Sequence, residues 1–398
     1  MKTRVLGILL LLTALLTACV YDFTPDYNGE GGLMVIEGDI LIGEVCQFNF
    51  AYSQPLNPTS SEAAPVPMVS SLRVEASDGT VYPGVGTRVD LTGADPSRTG
   101  LEYRMVATVR VQGGAVKTYA SAWSPVSFAA PIDSLSWSVN DDRTEMSINV
   151  STHTDGKQGY HRWLAEETWE YRAEYYALYF YARKGTIYRG VELPKDSVYR
   201  YEGGDNTYYC WNSAQRPEVM AASTTDLSED RLVNHRLYTL GNKERKISYL
   251  YSVEVKQMRM TEEGYRYWET VQKNTYDVGG LFSPEPSELR GNIACEENPD
   301  ELVLGYVNVS TVSKQRLFVD NWVAKFGIWR GESHEALVPP QKDWLKTFRD
   351  GYRVVDEHFN DATGEPDGLY NWQPLRCVDC RYYGGTKNKP AYWPNKDI

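Results

Sequence analysis

The chain has 398 residues and carries 53 acidic against 41 basic side chains, a net charge of −12 that disfavours nucleic acid and anionic lipid surfaces as partners. An apolar share of 42% supports packed cores, and the length suggests two or three domains. The 29 tyrosines and 11 tryptophans favour β-structure and, where exposed, recognition of sugars, peptides or proteins.

Lys2 and Arg4 precede an almost unbroken apolar run from Val5 to Leu16, and Leu16-Thr17-Ala18-Cys19 sets small residues directly before a cysteine. That is the layout of a secretory signal peptide over residues 1–18. The run falls short of the roughly 20 apolar residues that a spanning helix needs, so cleavage is expected. Leu16-Thr17-Ala18-Cys19 also resembles the bacterial lipobox, in which the cysteine becomes the acylated first residue. Cys19 is therefore the expected lipid attachment site, with thioether diacylglycerol and an amide-linked acyl chain such as palmitate giving more than one anchor. Residues 19–32 are acidic, contain Pro25 and end in glycines, which reads as a flexible tether. Loss of Lys2 and Arg4 leaves 39 basic against 53 acidic residues, a net charge of −14.

From residue 33 to about 130, short alternating runs are separated by turn signals. Met34 to Glu37, Ser71 to Ala76 before Asp78-Gly79, and Tyr103 to Val111 before Gly113-Gly114 are examples. This spacing predicts an immunoglobulin-like β-sandwich. Alternation places Cys46 on the side of Phe48 and Phe50, as a buried thiol. Residues 131–398 read as a larger, aromatic-rich β domain. Within Tyr160 to Tyr171 one face carries His161, Trp163, Ala165, Glu167 and Trp169, and the other carries Arg162, Leu164, Glu166, Thr168 and Glu170. At least one helix interrupts these strands: Thr261 caps it, Tyr265, Trp268, Val271 and Gln272 fall near one stripe, and Gly279-Gly280 ends it. The fold class is thus mainly β.

Cys210, Cys295, Cys377 and Cys380 are expected to form two disulfides that tie an irregular tail to the second domain, with the connectivity open among three pairings. A redox reading of Cys377-Val378-Asp379-Cys380 lacks a strand-to-helix context, and a zinc reading with Cys210 and Cys295 lacks a second close pair. Glu166 and Glu167 cannot form a glycosidase dyad, because neighbours on a strand point to opposite faces. The histidines show no metal-ligand spacing, and neither a catalytic set nor a metal or cofactor is expected from motifs. Tyr208, Tyr209 and Trp211, in a Gly/Asn-flanked segment, are candidate ligand contacts.

The lipobox and acidic tether, Leu33 to Gly38, Pro131-Ile132-Asp133-Ser134-Leu135, and Arg162-Trp163 through Tyr171 together resemble a Bacteroidetes outer-membrane lipoprotein family known as domain of unknown function 4249. So do Cys210-Trp211, Ser223 to Ser228, Gly280-Leu281-Phe282, Gly291-Asn292-Ile293 and Cys377 to Arg381 with Gly384-Gly385-Thr386. The resemblance implies an outer-membrane lipoprotein encoded beside TonB-dependent receptors, and supplies no catalytic residues. Expected from it is a non-catalytic accessory or capture protein for such a receptor, holding a glycan or peptide ligand. A cell-surface hydrolase with a dispersed site and an adhesin or structural surface protein are the alternatives, and the membrane face is open.

Cys19→Ser should abolish acylation and move the protein out of the membrane fraction. Metabolic labelling with a fatty acid and fractionation check this: an unlabelled wild type with a membrane-retained mutant contradicts the anchor.

Overall fold

The computed structural model describes residues 32–53, 66–202, 207–276, 290–327 and 335–394. Cys19, the signal segment and all of the tether except Gly32 lie outside the described residues, as do Gly279-Gly280 and His334.

The first stretch forms β1 (Met34–Leu41), β2 (Val45–Tyr52), β3 (Met68–Ala76), β4 (Val81–Val85), β5 (Arg88–Asp90), β6 (Glu102–Arg110), β7 (Val116–Ser121) and β8 (Ser124–Pro125). Strict alternation buries Cys46, Phe48 and Phe50 in β2 and leaves Val45, Gln47 and Asn49 outward. The Cys46 thiol points at the backbone of Leu41, with Sγ 3.2 Å from its amide nitrogen, and burial pushes its pKa up to about 12. It is an unreactive core thiol.

The second stretch supplies β9 (Ile132–Val139), β10 (Glu145–His153), β11 (Tyr160–Arg172), β12 (Tyr179–Ala182), β13 (Ile187–Tyr188), β14 (Val191–Glu192) and β15 (Ser197–Arg200). It continues through β16 (Tyr209–Gln215), β17 (Met220–Ser223), β18 (Arg231–Gly241) and β19 (Leu250–Met260) into helix α1 (Glu262–Tyr276). The Thr261 hydroxyl accepts the Gly264 N–H at 3.1 Å, which caps α1 as its sequence predicts. The chain then makes β20 (Ile293–Cys295), β21 (Val303–Leu304), β22 (Val307–Ser310) and β23 (Ser313–Asp320). After short helices α2 (Asn321–Ala324) and α3 (Trp344–Arg349), it ends in a hairpin of β24 (Tyr352–Phe359) with β25 (Pro366–Pro374), then α4 (Leu375–Val378).

The mainly β expectation holds, and its finer layout differs. Instead of a self-contained immunoglobulin-like sandwich over 33–130, the first strands join one 11-stranded, nearly closed barrel-like sheet in the order β20-β7-β6-β3-β4-β5-β2-β1-β21, with β22 also on β1 and β8 on β6. Residues 293–310 therefore belong to this first unit although they follow the second in sequence. The reason is edge protection: 33–130 alone would leave β1 and β7 with unpaired backbone, and the returning segment covers both. The two-layer sandwich lies in the second unit instead. There the sheet β18-β10-β9 packs on β16-β11-β19-β23, and Met146, Ile148, Val150, Leu240, Trp163, Val253 and Val255 fill the space between. The odd-numbered face of β11 points into this core and the even-numbered face points away from it, toward the barrel, as alternation predicts.

The disulfide expectation is also corrected. Cys210 on β16 bonds to Cys380, and this is the one bridge among the described residues. Cys295 and Cys377 are buried outside it. Cys295 is carried into the barrel by the pairing of β20 with β7, on a different unit from the tail. The bridge and the C-terminal strap order the tail together: the Tyr392 hydroxyl meets that of Thr168 at 2.9 Å, Arg316 stacks on the Tyr392 ring, and Trp393 packs edge-on to Phe318.

Gly305, between β21 and β22, has φ +127°, and a Cβ there would overlap the Ile36 carbonyl. Gly305→Ala should cost about 2 kcal/mol or more, through strain and loss of close approach. Chemical denaturation measures it, and an unchanged midpoint would show that the returning strands do not need to lie this close to β1.

Candidate functional site

A cleft of about 910 Å³ opens where the outer faces of β1 and β2 meet the outer face of β11, β16 and β19. Helix α1 closes one side through Trp268, Val271 and Gln272, and the segment Arg216 to Val219 forms another. At its back, Asp39 of β1 accepts both hydrogen bonds of the Arg162 guanidinium Nη1, at 2.8 and 2.9 Å. Arg162 also lies flat on the Trp268 ring, 3.8 Å from its centroid. Burial pushes the Asp39 pKa up, against the pull of Arg162.

The opposite wall is fixed by a second buried network. Arg216 donates to Glu167 at 2.9 Å and to Glu218 at 3.0 Å, and stacks 4.1 Å over Tyr238. Glu167 further accepts from the Tyr251 hydroxyl at 2.6 Å and from Lys246 at 2.9 Å. Burial works against the Arg216 charge, yet Glu218 and Glu167 outweigh it and keep the guanidinium protonated. Both cationic walls thus arrive neutralised. Between them Glu37, Glu166 and Lys256 reach the cleft and make no ion pair among the described residues.

The adjacent carboxylates Glu166 and Glu167 do part to opposite faces. Glu166 is exposed in the cleft, and Glu167 is 2% exposed inside the ion network. His161 is equally buried. Its Nε2 lies 3.0 Å from Asp230, which also receives hydrogen bonds from Thr224 (2.6 Å), Arg259 (2.7 Å) and Thr154 (2.9 Å). The Asp230 carboxylate is saturated by these donors, so it cements the strands around it. His153 and His358 pair with Asp133 and Asp367. Among the described residues no three His, Cys, Asp or Glu side chains converge as metal ligands.

Tyr208, Tyr209 and Trp211 do not line the cleft. Tyr209 and Trp211 are part of strand β16 rather than a loop, and Trp211 exchanges backbone hydrogen bonds with Thr386 of the tail. The three side chains are half-buried; Tyr208 packs edge-on with Tyr176 and Tyr209, and Arg172 stacks on Tyr209. Sequence reasoning missed Asp39, Lys256 and the clamping role of Arg162 and Trp268. The alternation of β11 put Arg162 and Glu166 on one face, but nothing local pointed to a partner 123 residues away.

The arrangement is that of a two-unit, mainly β protein with a polar cleft at the junction. The chain belongs to the family described as Domain of unknown function (DUF4249), whose profile matches residues 20–316. The match ends within β23, so the tail landmarks Cys377 to Arg381 lie beyond it. No curated protein matches the chain.

The buried groups set a pH dependence. Burial lowers the pKa of His161 and of His235, whose ring stacks 5.3 Å from Trp163. As pH falls through the ordinary imidazole value near 6.5, the unfolded chain gains protons that the fold refuses, so stability is full above that value and declines below it. Burial alone would raise the Asp230 pKa, but its four hydrogen-bond donors hold it well below the usual carboxylate range. Its contribution is present above about pH 4 and lost on further acidification. The urea midpoint should therefore drop between pH 7.5 and 5.0, and drop less in His235→Phe. Asp230→Asn should cost about 3–5 kcal/mol at neutral pH, having left Arg259 unpaired. A midpoint flat over this range contradicts the assignment of neutral buried rings.

Proposed function

We propose that this chain is a lipid-anchored, non-catalytic lipoprotein of the outer membrane that captures a ligand for a TonB-dependent receptor in nutrient uptake. The supporting observation is the cleft itself: its walls are locked by internally neutralised ion networks, while its floor offers unpaired charge and amide groups to solvent. A site held this way is organised before its ligand arrives, which lowers the ordering cost of binding. The tether after Cys19 would keep such a cleft beside a membrane transporter. The cleft carboxylate Glu166 keeps a hydrolase as the second reading.

The lipidated protein, purified in mild detergent from its own cell, should bring down an outer-membrane receptor, and its deletion should reduce uptake of one nutrient class. Purification without a receptor, with uptake unchanged in the deletion strain, contradicts the proposal. Turnover of a glycan or peptide that is lost in a folded Glu166→Gln variant replaces it with the hydrolase.

A further inference from the structure

The chemistry of the cleft narrows the ligand class. This step rests on the cleft being the capture site. The floor holds Lys256 beside Glu166, and the barrel side adds Glu37, three ionised groups of both signs with no partner of opposite charge among the described residues. Of the other charges lining the cleft, Arg162 is held by Asp39 and Arg216 by Glu167 and Glu218, while Arg88 donates to the side-chain carbonyl of Gln47 at 3.0 Å and adds a second cationic group. Asn49 and Gln215 add side-chain amides that can donate and accept. Apolar surface lies between these polar groups. Val45 is 47% exposed, and Leu164, Val219 and Val271 border the same space.

A sugar chain usually needs the open face of an aromatic ring, against which its C–H groups can stack. Of the two aromatic residues lining the cleft, Trp163 is 1% exposed, and Trp268 is 6% exposed with its ring covered by Arg162. Separate acidic and basic contacts, apolar patches and amides match a ligand that carries an ammonium, a carboxylate, peptide groups and apolar side chains on one short chain.

We infer that the cleft binds a short peptide, a few residues long, with its amino group or a basic side chain at Glu37 and Glu166 and its carboxylate at Lys256. The volume is at the upper end of the roughly 300–1,000 Å³ found for small-ligand sites, which admits a few residues and excludes a folded domain.

The test uses the full lipidated protein in detergent with a tryptic digest of casein, the same digest after N-acetylation and C-amidation, and a mixture of malto- and xylo-oligosaccharides. Retention is read by ultrafiltration and mass spectrometry. A subset of short unmodified peptides should be retained, the blocked digest should be retained at least about tenfold less, and Glu166→Gln and Lys256→Met should each cause a loss of similar size. Tyr208→Phe, outside the cleft, should retain peptides as the wild type does. Glu166 and Lys256 make no ion pair that holds the fold, and unchanged thermal melting confirms that their variants are folded. Retention of oligosaccharides in place of peptides, no retained peptide, or equal retention by wild type and both cleft variants overturns the inference. Because the assay contains no receptor, and receptor co-purification needs no ligand, either idea can fail while the other stands.

Discussion

Asp39 and Arg162 lie on strands of different β-units and meet largely buried, at the back of the cleft. Removing two ions from water costs several kcal/mol each, and their attraction offsets this only when the geometry is nearly ideal. Here both carboxylate oxygens accept from the one nitrogen Nη1, at 2.8 and 2.9 Å, and the guanidinium is further held against Trp268 of α1. Such a pair adds little net stability compared with apolar packing, but it tolerates one arrangement only. A rotation of the barrel against the sandwich would leave an uncompensated buried charge. The pair therefore acts mainly on orientation, and the cleft in front of it inherits a fixed width.

The chain path reinforces that constraint. The chain leaves the barrel near Ala130, builds most of the sandwich, returns as β20 to β22, and crosses over again into β23. At the first crossing, the buried Gln257 side chain donates to the Ala130 carbonyl and to Thr152, while its own carbonyl accepts the Trp163 indole N–H at 2.7 Å. At the second, the Ser310 hydroxyl accepts from the Arg259 amide. The units are thus stitched by polar groups whose alternative, an orphaned buried donor or acceptor, is expensive. This is how a fold of ordinary β-sheets can hold a polar, solvent-filled cleft open instead of collapsing it.

What the sequence disclosed follows from the range of each signal. Period-two alternation named the buried face of β2, including Cys46, and separated Glu166 from Glu167 on β11. The cap at Thr261 located the start of α1. These are local properties, legible within a dozen residues. The closing of the barrel by 293–310 was not legible, because a three-residue strand such as Ile293–Cys295 has no period to detect and is defined by the edge that it covers. For the same reason Cys295 looked like a partner for the tail. The site was hidden more deeply still: Asp39 sits in an unremarkable strand, and its role depends on an arginine that only the fold brings near. Conversely, Tyr208, Tyr209 and Trp211 stood out by composition, and the structure places them away from the cleft, in and beside β16, with Tyr208 packed against the cluster of the Cys210–Cys380 bridge.

If the buried pair governs orientation, its loss should be visible as motion between the units. Spin labels on Val85→Cys in the barrel and Val233→Cys in the sandwich, both exposed sites, report that separation directly by pulsed electron resonance. The account predicts one narrow distance distribution with Asp39 intact, and a broadened or shifted one in Asp39→Asn. An equally narrow, unshifted distribution in the folded Asp39→Asn protein would contradict it and leave the orientation of the two units to the backbone crossings alone.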